Sequence, residues 1–125
     1  MSELLPELFD VIEIIVDLPS ENLRAGMRGT IIEDFSDGAY LVEFANEHGE
    51  TLEMPALKTT QFIVVWRNAT LKPVPLAEQA AALVAHLPDA TAHQVLDFAR
   101  FLAVRSQPPI AQNRAPSAVE QSVFA

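Results

Sequence analysis

Short apolar segments, separated by residues that favour turns, make up the first half of the chain. Five of these segments have the length and composition of β-strands: residues 9–16, 30–35, 40–44, 50–54 and 61–66. The alternation is clearest in the third segment, which places Tyr40, Val42 and Phe44 on one face and Leu41 and Glu43 on the other. Short strands joined by tight turns within about 60 residues predict a small SH3-like antiparallel β-barrel.

The residues between these segments are typical of turns. Residues 17–22 combine Pro, Ser and Asn, which favour loop geometry. Residues 36–38 and 46–49 predict two hairpins, and Gly38 can adopt the positive φ that a tight hairpin needs. Pro55 ends the fourth strand, because proline has no N–H to donate to a neighbouring strand.

Apolar residues recur at helical spacing after residue 75, which predicts two helices. The stripe of the first helix consists of Leu76, Ala80, Leu83, Val84 and Leu87. Residues 88–90 interrupt the pattern, and residues 91–94 match a capping box, which predicts that the second helix starts there. Its stripe consists of Val95, Leu96, Ala99, Leu102 and Ala103, widened by Phe98 and Phe101. The predicted fold class is therefore mainly β with α, a barrel followed by a helical hairpin.

The composition of the chain changes in the segment 71–75. Ile, Val, Phe and Thr are common before it, and Ala, Leu and Gln are common after it. This change predicts that residues 1–70 form the barrel, that 71–75 are a linker and that 76–105 form the helical hairpin. Residues 106–125 are rich in Pro, Gln, Asn and Ser, so we expect a mostly disordered tail.

The charge of the chain restricts its partners. Seventeen acidic and eight basic residues give a net charge of -9, and residues 1–72 hold 13 of the acids and 5 of the bases. Such an excess repels phosphate backbones, so direct nucleic-acid binding is not expected. The chain has no cysteine, which excludes disulfides, thiolate zinc sites and cysteine nucleophiles.

The chain also lacks the patterns of secretion and membrane insertion. Acidic residues stand near the N-terminus, where a secretory signal carries Lys or Arg. No apolar run approaches the roughly 18 residues of a membrane span. We therefore expect a cytoplasmic protein without membrane contact.

Several stretches of the first half carry a resemblance to a known family: residues 7–13, 17–19, 23–33, 37–44 and 49–51. They resemble the small bacterial proteins that contain the domain of unknown function 4926. This resemblance implies an SH3-like barrel, in a family often met beside toxin-like genes, and no established catalytic residues. Residues 83–89 and 94–102 resemble the domain of unknown function 2281. Members of that family resemble antitoxin-type or regulatory helical segments.

Acidic residues on and beside the two hairpins form the first candidate site: Glu33, Asp34, Asp37, Glu43, Glu47, Glu50 and Glu53. They have three interpretations, namely a solvated face, a protein-binding face, or a metal or catalytic site. We take the protein-binding face, with Glu33, Asp34, Asp37, Glu43, Glu47 and Glu50, as the functional hypothesis. The three histidines, His48, His86 and His93, are far apart in the sequence, so we expect surface roles and no metal or other cofactor.

Apolar residues form the second candidate site. Trp66 has apolar neighbours, so it belongs either to the core or to a partner-binding surface. The wide face of the second helix, formed by Val95, Phe98, Phe101 and Leu102, either packs on the barrel or contacts another chain. A hairpin of two helices cannot bury this face alone, so a homodimer through the helices is one expected arrangement.

These features together favour a non-enzymatic protein-binding module of antitoxin-like or regulatory type. Its acidic barrel would contact a basic partner protein, for example the nucleic-acid-binding groove of a toxin nuclease. The alternative is a structural or adaptor subunit of a larger bacterial complex. No Ser-His-Asp spacing, phosphate-binding loop or nucleotide motif is present, so no catalytic residue is expected.

Overall fold

The computed structural model describes residues 5–108, and within them the chain forms seven strands and two α-helices. The strands are β1 (Val11–Ile14), β2 (Arg28–Asp34), β3 (Ala39–Ala45), β4 (Thr51–Glu53), β5 (Ala56–Lys58), β6 (Phe62–Arg67) and β7 (Lys72–Pro73). All of their pairings are antiparallel, in the order β4-β3-β2-β1-β6-β7, with β5 beside the first half of β3. The sheet therefore has two ends, at β4 and β7.

The predicted fold class, β with α, is confirmed, while two details of the prediction are wrong. The sheet has seven strands rather than five, and it is not closed, so the term barrel is approximate. The two additional strands, β5 and β7, are three and two residues long. Segments this short carry no readable alternation, and only their pairing with β3 and β6 makes them strands.

Both predicted hairpins are confirmed. In the first, the Phe35 backbone N–H donates to the Ala39 carbonyl, and Gly38 has a φ of 89°. In the second, the Gly49 N–H donates to the Asn46 carbonyl. Pro55 does lie outside β4, and its carbonyl accepts a hydrogen bond from the Val42 N–H.

One face of the sheet forms the core. Its buried residues come from nearly every strand and include Ile12, Ile14, Ile31, Tyr40, Val42, Phe44, Leu57, Phe62 and Val64. Tyr40, Val42 and Phe44 lie on the same face of β3, as the alternation predicted. Gly29 lets β2 and β3 approach closely, since a Cβ there would lie 2.7 Å from Val42 Cγ1 and 2.9 Å from the Glu43 carbonyl oxygen.

The first helix, α1 (Leu76–Ala85), contacts β6. Both faces of β6 are buried, including Ile63 and Val65, which lie outside the main core cluster. Two polar side chains attach α1 to the sheet: Gln79 Nε2 donates to the Val74 carbonyl at 2.8 Å, and His86 Nε2 lies 3.1 Å from the Thr59 carbonyl oxygen.

The predicted apolar stripe of α1 is only partly covered, and this is a correction. Leu76 and Ala80 are exposed, while Gln79, Ala82 and Val84 are half-buried. Leu87 of the stripe is also half-buried, so the covered residues of α1 include part of the predicted stripe together with the polar residue Gln79.

The second helix, α2 (Asp89–Arg105), begins directly after Pro88. The predicted capping box at residues 91–94 is wrong, because Thr91 is already the third residue of the helix. An acidic residue at the first position, Asp89, suits the positive end of the helix dipole. The helix has no buried residue.

The described residues divide into two compact units, with the boundary between Pro88 and Asp89. We refer to residues 5–88 as the sheet unit. The predicted modules were drawn from composition, and their boundaries stay a prediction. The predicted tail lies outside the described residues beyond Pro108. Among the described helices, none has the length and apolar character required to cross a membrane.

Candidate protein-binding surfaces

The acidic residues of the first hairpin build its turn. Asp34 Oδ1 accepts a hydrogen bond from the Ser36 N–H at 2.8 Å, and Asp37 Oδ1 accepts one from the Ala39 N–H at 3.1 Å. A carboxylate that bonds to the backbone two residues further on imitates a turn of the main chain. Asp34 and Asp37 are therefore partly structural, although both are exposed.

Two acids of the second hairpin also have structural partners. Glu50 Oε1 accepts from Asn46 Nδ2 at 2.8 Å, and Glu43 accepts from the Thr51 hydroxyl. Asn46 Oδ1 in turn accepts the N–H groups of His48 and Glu50. These contacts fasten the two arms of the turn to each other.

Three acids remain, Glu33, Glu47 and Glu53. Their carboxylates have no hydrogen-bond or ion-pair partner among residues 5–108. Glu33 and Glu47 are exposed, and Glu53 is half-buried on β4. The segment between Arg28 and Lys58 contains all seven candidate acids and neither Lys nor Arg. We call these seven residues the acidic hairpin surface.

The acidic hairpin surface does not form a cation site in the described part of the chain. No group of three or more His, Asp or Glu side chains there has a geometry that could hold a metal ion. Burial, and then the Asp34 carboxylate, raise the pKa of Tyr40, so the phenol stays protonated at neutral pH. The seven carboxylates therefore make this surface negatively charged.

The three histidines belong to no group of side chains among residues 5–108 that could hold a metal ion. His48 lies in the second hairpin, and His93 is an exposed residue of α2. His86 Nδ1 lies 2.8 Å from the Ala82 carbonyl oxygen, and its Nε2 faces Thr59, as described above. Its role in the structure is the attachment of α1.

The apolar candidates differ from one another in exposure. Trp66 is half-buried in β6 and pairs with Val11 across the strands. On α2, Val95, Phe98, Phe101 and Leu102 are all exposed, and the rings of Phe98 and Phe101 stack with centroids 6.1 Å apart. Arg105 lies over the Phe101 ring at 5.7 Å. The candidate apolar surface is thus the α2 face, whereas Trp66 is partly structural.

Sequence reasoning missed a buried ion pair. Asp10 has no exposed surface, and its Oδ2 accepts from Arg67 Nη1 at 3.0 Å and from the Glu7 N–H at 2.9 Å. Its Oδ1 accepts from the Asn68 N–H at 2.9 Å. Arg67 also donates to the Leu5 carbonyl. Asp10 therefore ties the N-terminal segment to the turn after β6, across more than 50 positions that no local pattern connects.

Sequence reasoning also missed the conformation of Phe9. The Phe9 N–H donates to the Ile31 carbonyl at 2.7 Å, while the Ile31 N–H donates to the Asp10 carbonyl at 3.0 Å. Phe9 and Asp10 together therefore oppose Ile31 in a β-bulge, and Phe9 has a φ of 68° at the position where such bulges favour glycine. The side chain is exposed, so burial does not explain why a bulky aromatic residue occupies this position.

Part of the chain matches a known protein family. Residues 8–64, which run from the bulge to the middle of β6, match the family described as Domain of unknown function (DUF4926). The predicted resemblance to DUF4926 is confirmed. No curated protein and no solved structure matches the chain. The resemblance of the helical segment to the domain of unknown function 2281 stays a prediction.

Proposed function

We propose that the protein is a non-enzymatic binding module of antitoxin-like or regulatory type, whose acidic hairpin surface contacts a basic partner protein. The observation that carries this proposal is the charge of the segment between Arg28 and Lys58. It holds seven carboxylates and no Lys or Arg, and none of the seven forms an ion pair within residues 5–108.

The organisation of the surface supports a binding role. Four of the carboxylates, those of Asp34, Asp37, Glu43 and Glu50, fasten the turns. The turns in turn position Glu33, Glu47 and Glu53, whose carboxylates have no ion-pair partner within the described part of the chain. Self-repulsion of a fixed negative surface disfavours the isolated protein, and a basic partner removes that repulsion while steering association.

The membership of residues 8–64 in DUF4926 is compatible with this proposal and names no activity. The proposed location is the cytoplasm, where a basic nuclease-type toxin or a complex subunit would be met. An adaptor subunit of a larger assembly is the second candidate, and it would use the same surface.

The experiment starts with identification of the partner by pull-down from the native host. The dissociation constant is then measured for the wild type and for the double variant Glu33→Lys, Glu47→Lys. We expect a loss of at least about tenfold in affinity at low salt and a smaller loss at high salt, because salt screens exposed charges. Neither carboxylate has a structural partner among the described residues, so the fold should be unaffected.

The matched control is Glu7→Lys, Glu78→Lys, which changes the net charge equally at two exposed positions outside the acidic hairpin surface. If the control pair weakens binding as much as the test pair, the effect comes from net charge alone and the proposed surface is wrong. A partner with an acidic contact face would also contradict the proposal. Turnover of a substrate by the purified chain would contradict its non-enzymatic part.

A further inference from the structure

From the pattern of α2 we infer that this helix is the contact between two copies of the chain, packed antiparallel about a two-fold axis near Phe98 and Ala99. The inference does not depend on what the acidic hairpin surface binds. It rests on the spacing, the exposure and the charge of the helix itself.

The apolar residues of α2 have the spacing of a helix–helix seam. Val95, Phe98 and Leu102 follow one another at intervals of three and four residues, and the polar residue Thr91 continues the stripe four residues earlier, which is the spacing of a coiled-coil stripe. Phe98 is 61% exposed, and Val95 and Leu102 are also exposed. A helix of this length derives most of its stability from packing of an apolar face, so α2 requires a surface to cover its seam.

The charge of α2 favours a second copy over a basic partner. The helix contains two acidic residues, Asp89 and Asp97, and two basic residues, Arg100 and Arg105, in a chain whose net charge is -9. It is therefore a neutral region at which two strongly negative chains can approach. Asp97 and Arg100 pair with each other at 3.0 Å, and both side chains are exposed.

The direction of the pairing follows from the order of these charges. Both acids precede both bases along α2, with Asp97 at its centre, so antiparallel packing brings acidic positions of one helix toward basic positions of the other. It also aligns the two helix dipoles favourably. A parallel pair would place like charges and like dipole ends together.

The sheet units reinforce this choice. Each is joined to the N-terminal end of its own α2, and residues 1–72 carry 13 acids against 5 bases. In a parallel pair the two joints would be about 10 Å apart, the usual distance between packed helices. In an antiparallel pair they are separated by the length of 17 residues. That length is about 25 Å, well beyond the screening length of roughly 8 Å at physiological salt.

The first test is the mass of the full chain in solution, by sedimentation or light scattering, over a wide concentration range. We expect a dimer, and we expect Phe98→Asp to weaken self-association at least about 100-fold, because each dimer loses two central aromatic contacts. The matched control is Val104→Asp, an exposed apolar residue on the opposite side of the helix, which should leave the dimer intact. Trp66 fluorescence checks that the sheet unit is folded in both variants.

The second test reads the direction of packing from engineered cysteines, since the chain has none of its own. With the axis near Phe98 and Ala99, Val95 of one copy faces Leu102 of the other. A mixture of Val95→Cys and Leu102→Cys chains should therefore form the mixed disulfide, while each variant alone forms little. Efficient cross-linking of each variant with itself would overturn the antiparallel arrangement.

A wild-type chain that stays monomeric at all concentrations would overturn the inference as a whole, and so would a dimer that Phe98→Asp leaves unchanged. Charge reversal at Glu33 and Glu47 should not dissociate the dimer. Loss of partner binding with an intact dimer, or the reverse, therefore separates this inference from the proposed function.

Discussion

The sheet unit has a core of buried apolar residues, whereas α2 has no buried residue. Phe44 of β3 is 1% exposed and packs within the core, whereas Phe98 of α2 is 61% exposed and its stacking partner is the next aromatic residue of the same helix. The sheet unit carries nearly all of the negative charge, and α2 is neutral. The sheet unit buries Phe44 in its own core, whereas the exposed aromatic residues of α2 are available for the contact with a second copy that we infer.

The largest expected difference is between the same substitution in the two regions. Phe44→Ala should lower the free energy of unfolding by about 3–5 kcal/mol, because it removes a buried ring and leaves a cavity. Phe98→Ala should change the unfolding of the sheet unit by less than about 0.5 kcal/mol. The single tryptophan, Trp66, lies in β6, so denaturant unfolding followed by its fluorescence measures the sheet unit directly. A comparable loss of unfolding free energy in Phe44→Ala and Phe98→Ala would contradict this distinction between the sheet unit and α2.

A second comparison concerns ion pairs. Asp10→Ala should cost the sheet unit about 3 kcal/mol, since it leaves Arg67 and two backbone N–H groups without the carboxylate that they share. Asp97→Ala breaks an exposed pair within α2 and should cost about 0.5 kcal/mol or less. Helix content and thermal unfolding of both variants measure the difference. A small effect of Asp10→Ala would mean that water replaces the carboxylate.

A third prediction sharpens the account of the sheet unit at Phe9. In an ordinary strand glycine is less stable than alanine, but at a φ of 68° the order should reverse. Phe9→Gly should therefore be more stable than Phe9→Ala by about 0.5–1 kcal/mol. At Arg28, an exposed residue of β2 outside the left-handed region, alanine should be the more stable replacement. If glycine and alanine had the same order of stability at Phe9 and at Arg28, the bulge geometry would be contradicted.

The smallest effect is expected at high pH and only in the sheet unit. The pKa of Tyr40 is raised by burial and by Asp34, so the folded state holds its proton more tightly than the unfolded chain. This stabilising contribution is fully present below the ordinary pKa of tyrosine and is lost as the pH rises through the higher folded value. Because Tyr40 is the only tyrosine, ultraviolet absorbance of the phenolate follows it directly. Titration of Tyr40 at the ordinary pKa of tyrosine would contradict the burial of its phenol.

Comparison of particular elements shows why the sequence predicted some of them and missed others. The turn at residues 36–38 and the alternation from Tyr40 to Phe44 were readable because both depend on neighbours within a few positions. The strands β5 and β7 were not, because they exist only through pairing with β3 and β6. The start of α2 was predicted wrongly because residues 91–94 match a capping box, although the helix already begins at Asp89, directly after Pro88.

The candidate sites show the same difference between features that depend on nearby residues and features that depend on distant ones. The seven acids between Arg28 and Lys58 were visible in the sequence, but which of them are engaged in turns was decided by backbone geometry. Asp10 could not be assigned a role, because its partner Arg67 becomes a neighbour only when β1 and β6 pair.

The fold class, the two hairpins, the distribution of charge and the amphipathic character of α2 can be predicted from the sequence, since they depend on residue type and local spacing. The tertiary structure sets which carboxylates have partners among residues 5–108, such as Asp10 with Arg67, and where Phe9 adopts a left-handed conformation. These properties depend on contacts between residues that are distant in the chain, and only the packed sheet brings such residues together.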